Sequence, residues 1–83
     1  MVSEKSPGQI MTRLQQSLHE LGAKFSLSSA FALDCGIDGM LRFRAEVVKV
    51  PRLELHAIHF KRLEGDSLLY QKLCRDVIAS VNL

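Results

Sequence analysis

The 83-residue chain contains no tryptophan, one tyrosine, two prolines and two cysteines. Two cysteines are too few for a small fold held together by disulfides. Both are in phase with apolar neighbours, so we expect Cys35 and Cys74 to be buried, unpaired and unreactive thiols. No apolar run approaches the roughly 20 residues that a membrane-spanning helix requires. The first eight residues lack the apolar core of a signal peptide, which predicts an intracellular protein or a segment of one.

Motifs that carry catalysis or bind metal are also missing. The glycines are isolated and do not form a phosphate-binding or dinucleotide-binding pattern. His56 and His59 are three residues apart, which on a strand sends the two rings to opposite faces, and no third ligand is evident. Nothing in the sequence places a base beside Ser28 or Ser29. We therefore predict no catalytic residue, no metal site, no cofactor and no enzymatic activity in this chain.

The charges that are present lie unevenly along the chain. Net charge is only +2 and 47% of the residues are hydrophobic, as expected for one small globular domain. Residues 42–62 contain six cations and two acids, giving +4, so the remainder of the chain carries −2. The six cations are Arg42, Arg44, Lys49, Arg52, Lys61 and Arg62. This segment is either an anion-binding surface or the solvated side of a sheet.

Two amphipathic helices are predicted at the ends of the chain. Ser6 and Pro7 are a capping residue and a favoured first helical residue, and Gly22 is a typical helix terminator, so a helix runs from about Pro7 to Leu21. Its apolar positions are Ile10, Met11, Leu14, Leu18 and Leu21. A second helix follows Gly65-Asp66-Ser67 and has a wide apolar stripe. That stripe contains Leu69, Tyr70, Leu73, Cys74, Val77, Ile78 and Val81.

Strand periodicity occupies the region between the helices. Apolar residues alternate from Phe25 to Cys35, as one bent strand or two short ones, and a hairpin turn is predicted at residues 36–39. The next strand has Leu41, Phe43, Ala45 and Val47 on its inner face and Arg42, Arg44 and Glu46 on its outer face. Pro51 must interrupt the pairing. Leu53 and Leu55 are out of phase with Ile58 and Phe60, which predicts a bend or bulge near His56-Ala57.

The predicted fold is α+β, with two helices packed on one face of a small antiparallel sheet of three to four strands, in the order helix–strands–helix. We expect Leu14, Phe31, Phe43, Phe60, Leu73 and Val77 in one core. The opposite face of the sheet then carries Arg42, Arg44, His59 and Lys61. All aromatic residues fall in core phase, whereas nucleic-acid surfaces need exposed aromatics for stacking, so nucleic acid is not the expected partner.

One stretch resembles a known family. Lys49-Val50-Pro51-Arg52-Leu53-x-Leu55, followed by Ile58-x-Phe60-Lys61-Arg62-Leu63-x-Gly65, closely resembles the kinase-associated-1 domain, a C-terminal module of microtubule-affinity-regulating and Kin-type serine/threonine kinases. Ser6-Pro7-Gly8 is similar to the Asp-Pro-Gly that opens the first helix of that domain. The resemblance gives a domain over residues 6–83 and a flexible N-terminal remnant over residues 1–5. Relatives have a basic strand before the first helix, and with only residues 1–5 in that place we expect it to be largely absent here.

The resemblance implies a non-catalytic regulatory domain of a kinase. Such a domain binds anionic phospholipids of the phosphatidylserine type and contributes to autoinhibition of its own kinase domain. This places it in the cytoplasm, peripheral at the inner face of the plasma membrane. Lys61 and Arg62 match a basic pair that relatives use on lipid headgroups, and His59 stands where relatives often carry arginine. The candidate lipid-binding residues are Lys61, Arg62, Arg42, Arg44, Lys49, Arg52 and His59.

Two other functions remain open at this stage. A domain of the same fold could dock on a kinase lobe or a partner subunit without contacting lipid. A small nucleic-acid binder is retained only because of the basic segment. In each case we expect a monomer.

Overall fold

The computed structural model describes residues 2–81 and contains two helices and five strands. In chain order these are β1 (Val2–Ser3), α1 (Pro7–Glu20), β2 (Lys24–Ser29), β3 (Ala32–Ile37), β4 (Leu41–Lys49), β5 (His56–Gly65) and α2 (Ser67–Val81). The α+β class, the helix–strands–helix order from α1 onward and the start of each helix agree with the sequence predictions, and α1 ends at Glu20, one residue before the predicted end. No helix within residues 2–81 is long and apolar enough to cross a membrane.

The five strands form one antiparallel sheet in the order β1-β5-β4-β3-β2. One alternative left open by the sequence is resolved, and one additional strand raises the strand number above the predicted three to four. The segment from Phe25 to Cys35 is two strands, because the chain turns at Ala30-Phe31. In addition, Val2 and Ser3 pair with Ala57 and His56, so a short strand does precede the first helix.

Local side-chain interactions fix the start of each helix. The Ser6 hydroxyl accepts a hydrogen bond from the Gln9 amide at 3.3 Å, and the Gln9 side chain accepts one from the Ser6 amide at 3.2 Å. This reciprocal pair satisfies two amides that have no partner within the helix. At α2 the Asp66 carboxylate accepts from the amides of Leu68 and Leu69 at 2.7 and 3.4 Å. The helices contact each other, and the Ser17 hydroxyl of α1 donates to the Val77 carbonyl of α2 at 3.3 Å.

Both helices cover one face of the sheet, and the core lies between these two layers. Leu14, Phe43 and Val77 are fully buried, and Leu73 is 6% exposed. Phe60 is half-buried and packs against this cluster. Phe43 lies between two other rings, with centroids 6.4 Å from Phe60 and 6.0 Å from Tyr70.

The core assignment of Phe31 was wrong, since this residue is 45% exposed. It has the apolar phase of Leu33 and Cys35, but β3 begins only at Ala32 and Phe31 belongs to the preceding turn. A residue outside the strand is not held on the inner face by the pleat, so its phase does not determine its burial.

The irregularity of β5 lies at a different place from the one predicted. No bulge occurs at His56-Ala57, because Leu53 belongs to the β4–β5 loop and the strand starts at His56. The register instead shifts where Phe43 pairs with Arg62 and Arg42 pairs with Glu64, leaving Leu63 as the extra residue. A bulge of this kind re-aims the side chains that follow it. Pro51 interrupts the pairing as predicted, since β4 ends at Lys49.

Candidate anion-binding surface

The outer face of the sheet is the side that the helices leave uncovered. On β4 the inner residues Leu41, Phe43, Ala45 and Val47 are buried, while Arg42 is exposed and Arg44 and Glu46 are half-buried. Lys61 lies directly opposite Arg44, and His59 lies directly opposite Glu46. The sequence therefore placed Arg42, Arg44, His59 and Lys61 on the correct side of the sheet.

Two of these cations have acidic partners on the same face. The Arg44 guanidinium donates to the Asp34 carboxylate of β3 at 3.0 Å, and Arg42 lies 3.7 Å from the Glu64 carboxylate of β5. These partners follow from the strand register and were missed from sequence, because the order of strands in the sheet decides which acid faces which base. Glu64 and Asp34 therefore offset the charges of Arg42 and Arg44, and the outer face is less basic than the segment charge of +4 indicated.

Lys61 is an exposed cation on this face whose charge is not offset by an acidic partner. Among residues 2–81, no carboxylate lies within ion-pair distance of it. Its neighbour across the strands is Arg44, whose charge is already balanced by Asp34. An anion approaching Lys61 would therefore meet one uncompensated ammonium group, flanked by exposed His59 on the same strand.

Arg62 lies on the other side of the same strand. It pairs with Phe43, whose ring points toward the helices, and its guanidinium donates to the Gly65 carbonyl at 2.7 Å. Burial raises the pKa of Tyr70 on α2 to about 12, with a further contribution from Cys74, while the nearby charge of Arg62 acts in the opposite direction. Lys61 and Arg62 are thus consecutive in sequence but flank β5 on two sides.

The remaining candidates, Lys49 and Arg52, form a second cationic position. Both are exposed at the β4–β5 loop, and Lys49 pairs with His56 at the start of β5. Strands rise about 3.3 Å per residue, so Lys61 lies about 16 Å further along β5. The seven predicted residues therefore fall into three groups. Arg42 and Arg44 have acidic partners, Lys61 and Arg62 lie on the two sides of β5 with His59 on the side of Lys61, and Lys49 and Arg52 lie at the loop.

The two cysteines are free, as predicted, but they differ in exposure: Cys35 is buried and Cys74 is half-buried. Burial, reinforced by the neighbouring Asp34, raises the pKa of the Cys35 thiol to about 12. Burial also raises the pKa of Cys74, partly offset by its interaction with the Tyr70 hydroxyl. Since the thiolate is the reactive form, neither residue has the lowered pKa of a nucleophile.

We expect native protein at pH 8 to react slowly with a thiol reagent, with Cys74 labelled before Cys35. A Cys74→Ser variant should leave one thiol that reacts only as fast as the fold opens, and denaturant should make it fully reactive. The time course can be followed by mass spectrometry. Rapid labelling of Cys35 in the folded Cys74→Ser protein would contradict this assignment.

Within residues 2–81 no group of three or more histidine, cysteine, aspartate or glutamate side chains could hold a metal ion. His56 and His59 are separated by the strand pleat, as the sequence indicated.

Comparison with known sequences finds a family match over the part of the chain that contains β4, β5 and α2. A family model described as Kinase associated domain 1 matches residues 39–83, which is more than half of the chain. The chain belongs to the kinase associated domain 1 family. The match covers β4, the β4–β5 loop, β5 and α2, so it contains all seven candidate residues.

Two relatives of this kinase associated domain 1 chain are kinases of Dictyostelium discoideum. The chain is 32% identical over 80 residues to the probable serine/threonine-protein kinase MARK-C, a match that covers 95% of the chain and 10% of that relative. It is 34% identical over 53 residues to the probable serine/threonine-protein kinase MARK-A, covering 64% of the chain and 5% of that relative. The chain therefore spans a tenth or less of the length of the curated relatives it matches.

Proposed function

We propose that this kinase associated domain 1 chain is a non-catalytic regulatory domain of a serine/threonine protein kinase and that it binds anionic phospholipids. The observation that carries the lipid proposal is the set of exposed cations on β5, in its preceding loop and at the end of β4 that lack an acidic partner within residues 2–81. These are Lys49, Arg52, Lys61 and Arg62. Both relatives are named as serine/threonine kinases, which supports the regulatory context.

The number of free cations sets the strength of this interaction. Each lysine or arginine near an anionic membrane contributes about 1 kcal/mol. Four of them give about 4 kcal/mol, which corresponds to a millimolar dissociation constant. Arg42 and Arg44 add little, because Glu64 and Asp34 already neutralise them. A domain with this affinity needs a second contact to hold a kinase at the cytoplasmic face of the plasma membrane.

The same weak affinity suits a domain that also restrains its kinase. We propose that this chain contributes to autoinhibition by contacting its own kinase domain, and that membrane lipid and the kinase domain are its two partners. Weak contacts to each allow the balance between them to respond to the lipid composition of the membrane.

Vesicle co-sedimentation tests the lipid proposal directly. We expect binding to vesicles that contain phosphatidylserine and none to neutral phosphatidylcholine vesicles. Binding should weaken steeply between about 0.01 and 0.15 M salt, because the screening length falls from about 30 to about 8 Å. Equal binding to both vesicle types, or binding insensitive to salt, would contradict the proposal.

The neutralised outer face supports a second candidate, docking on a kinase lobe or a partner subunit without lipid. Ion pairs such as Arg44–Asp34 and Arg42–Glu64 leave a face of mixed sign, which is common in protein contacts. Absence of vesicle binding together with measurable affinity for the isolated kinase domain would favour this function.

A further inference from the structure

The end of β4 and the β4–β5 loop carry exposed apolar side chains beside two cations, Lys49 and Arg52. We define the hairpin tip as residues 48–53, which join the end of β4 to the approach of β5. Within it Leu53 is 52% exposed and Val48 is 37% exposed. The tip thus presents apolar surface and positive charge in the same short segment.

A third apolar side chain extends this patch across the sheet. Val2 of β1 pairs with Ala57 of β5, and Ala57 pairs in turn with Val48 of β4. Directly paired residues lie on the same face, so Val2, Ala57 and Val48 form one row across three strands. Val2 is 57% exposed. This row adjoins the hairpin tip, and exposed apolar groups gathered at one end of a domain mark an interaction site more often than scattered ones.

The backbone of the tip is held in an unusual conformation. The Leu53 amide donates to the Val50 carbonyl at 3.3 Å, closing a turn whose central residues are Pro51 and Arg52. Arg52 has φ of +66°, the only positive φ at a non-glycine residue in the part of the chain that the structure describes. Proline followed by a residue with positive φ is the pattern of a type II turn, which favours glycine at the second position. An arginine held there at a conformational cost points to a role for its side chain.

Charge indicates which partner this end of the domain fits. No carboxylate within residues 2–81 lies in ion-pair distance of Lys49 or Arg52, and Glu54 leaves residues 48–54 with a net charge of +1. Three apolar side chains are too few for the roughly 800 Å² per partner that a stable dimer buries. Cations around a small apolar group match the boundary between anionic headgroups and acyl chains, where lysine and arginine stay in the headgroup layer.

We propose that the hairpin tip inserts Leu53 into the headgroup–acyl boundary of an anionic bilayer, with Lys49 and Arg52 on the lipid phosphates and carboxylates. This inference rests on the proposed lipid binding and adds to it the element that enters the membrane. The turn at Pro51-Arg52 keeps Leu53 at the end of the domain, where a bilayer can reach it.

A single tryptophan reports insertion, because the chain contains none. Leu53→Trp should show a blue-shifted emission on phosphatidylserine vesicles and quenching by lipids brominated on their acyl chains. The matched control is Leu68→Trp. Leu68 is 73% exposed on α2, beyond the other end of β5, and its emission should not change.

A second pair of variants measures what the apolar group contributes. Leu53→Asn should weaken binding to phosphatidylserine vesicles about tenfold, equivalent to about 1.4 kcal/mol. Leu68→Asn, the same change on α2 beyond the other end of β5, should leave binding within about twofold. Circular dichroism of each variant checks that the fold is retained.

The outcomes separate insertion from lipid binding itself. If the wild-type protein sediments with phosphatidylserine vesicles while the emission of the Leu53→Trp variant stays unshifted on them, insertion is overturned and the proposed function stands. An emission shift that depends on protein concentration without vesicles would instead assign the patch to self-association. Failure of the wild-type protein to bind vesicles would remove the proposed function and this inference together.

Discussion

Replacing Phe43 with alanine is expected to destabilise this domain by about 3–5 kcal/mol, since its ring is fully buried and lies between Phe60 and Tyr70. Small domains have a free energy of unfolding of about 5–15 kcal/mol in total. The substitution should therefore leave a large fraction of the protein unfolded at 37 °C. Urea denaturation followed by circular dichroism measures this loss.

Two other phenylalanines calibrate the measurement. Phe60 is half-buried, so Phe60→Ala should cost less than Phe43→Ala. Phe31 is 45% exposed in a turn, and Phe31→Ala should change the free energy of unfolding by no more than about 1 kcal/mol. If Phe31→Ala proved as damaging as Phe43→Ala, the packing of the β2–β3 turn would differ from that described above.

The second large effect concerns lipid binding. Reversing Lys61 and Arg62 together to glutamate removes two attractions and adds two repulsions, a change of about 4 kcal/mol at about 1 kcal/mol for each charge. This corresponds to nearly a thousandfold weaker binding to phosphatidylserine vesicles. Both residues are exposed, and Arg62 loses only one hydrogen bond, to the Gly65 carbonyl, so the domain should remain folded.

The matched control changes the net charge equally at other places. Lys24 and Lys72 are exposed on β2 and α2, and each already has an acidic partner, Asp38 and Asp76 respectively. Lys24→Glu with Lys72→Glu should reduce vesicle binding far less than the β5 pair. Equal losses in the two double variants would mean that overall charge governs the interaction, and unchanged binding in the Lys61/Arg62 variant would favour the protein-docking function.

Sequence alone predicted the parts of this fold that depend on local periodicity. The helix-starting residues Ser6 and Asp66 and the alternation from Leu41 to Val47 each act within a few residues, and each is confirmed. The pairing of Val2-Ser3 with β5 was missed because two residues are too short to show a period.

The candidate surface was predicted less completely for a different reason. The side of the sheet occupied by Lys61 and His59 follows from the pleat, but the neutralisation of Arg44 by Asp34 depends on residues ten positions apart meeting across two strands. The separation of Lys61 from Arg62 also follows from the pleat, because consecutive strand residues point to opposite faces. The bulge at Leu63 could not be read from sequence, since no glycine or proline marks it.

The opposite orientation of Lys61 and Arg62 also constrains how the domain would face a membrane under the proposed lipid binding. Within residues 2–81, β1 pairs with His56 and Ala57 alone and no strand pairs with the edge of β5 alongside Lys61 and Arg62. A flat bilayer lying against the broad face of the sheet would meet Lys61 while Arg62 remained on the helical side. A bilayer contacts both side chains only when the edge of β5 faces it and the plane of the sheet is perpendicular to the membrane. The hairpin tip then lies at the end of this edge, next to the lipid. In that posture the two helices would stand beside the sheet, with their exposed sides available to the kinase domain that we propose as the second partner.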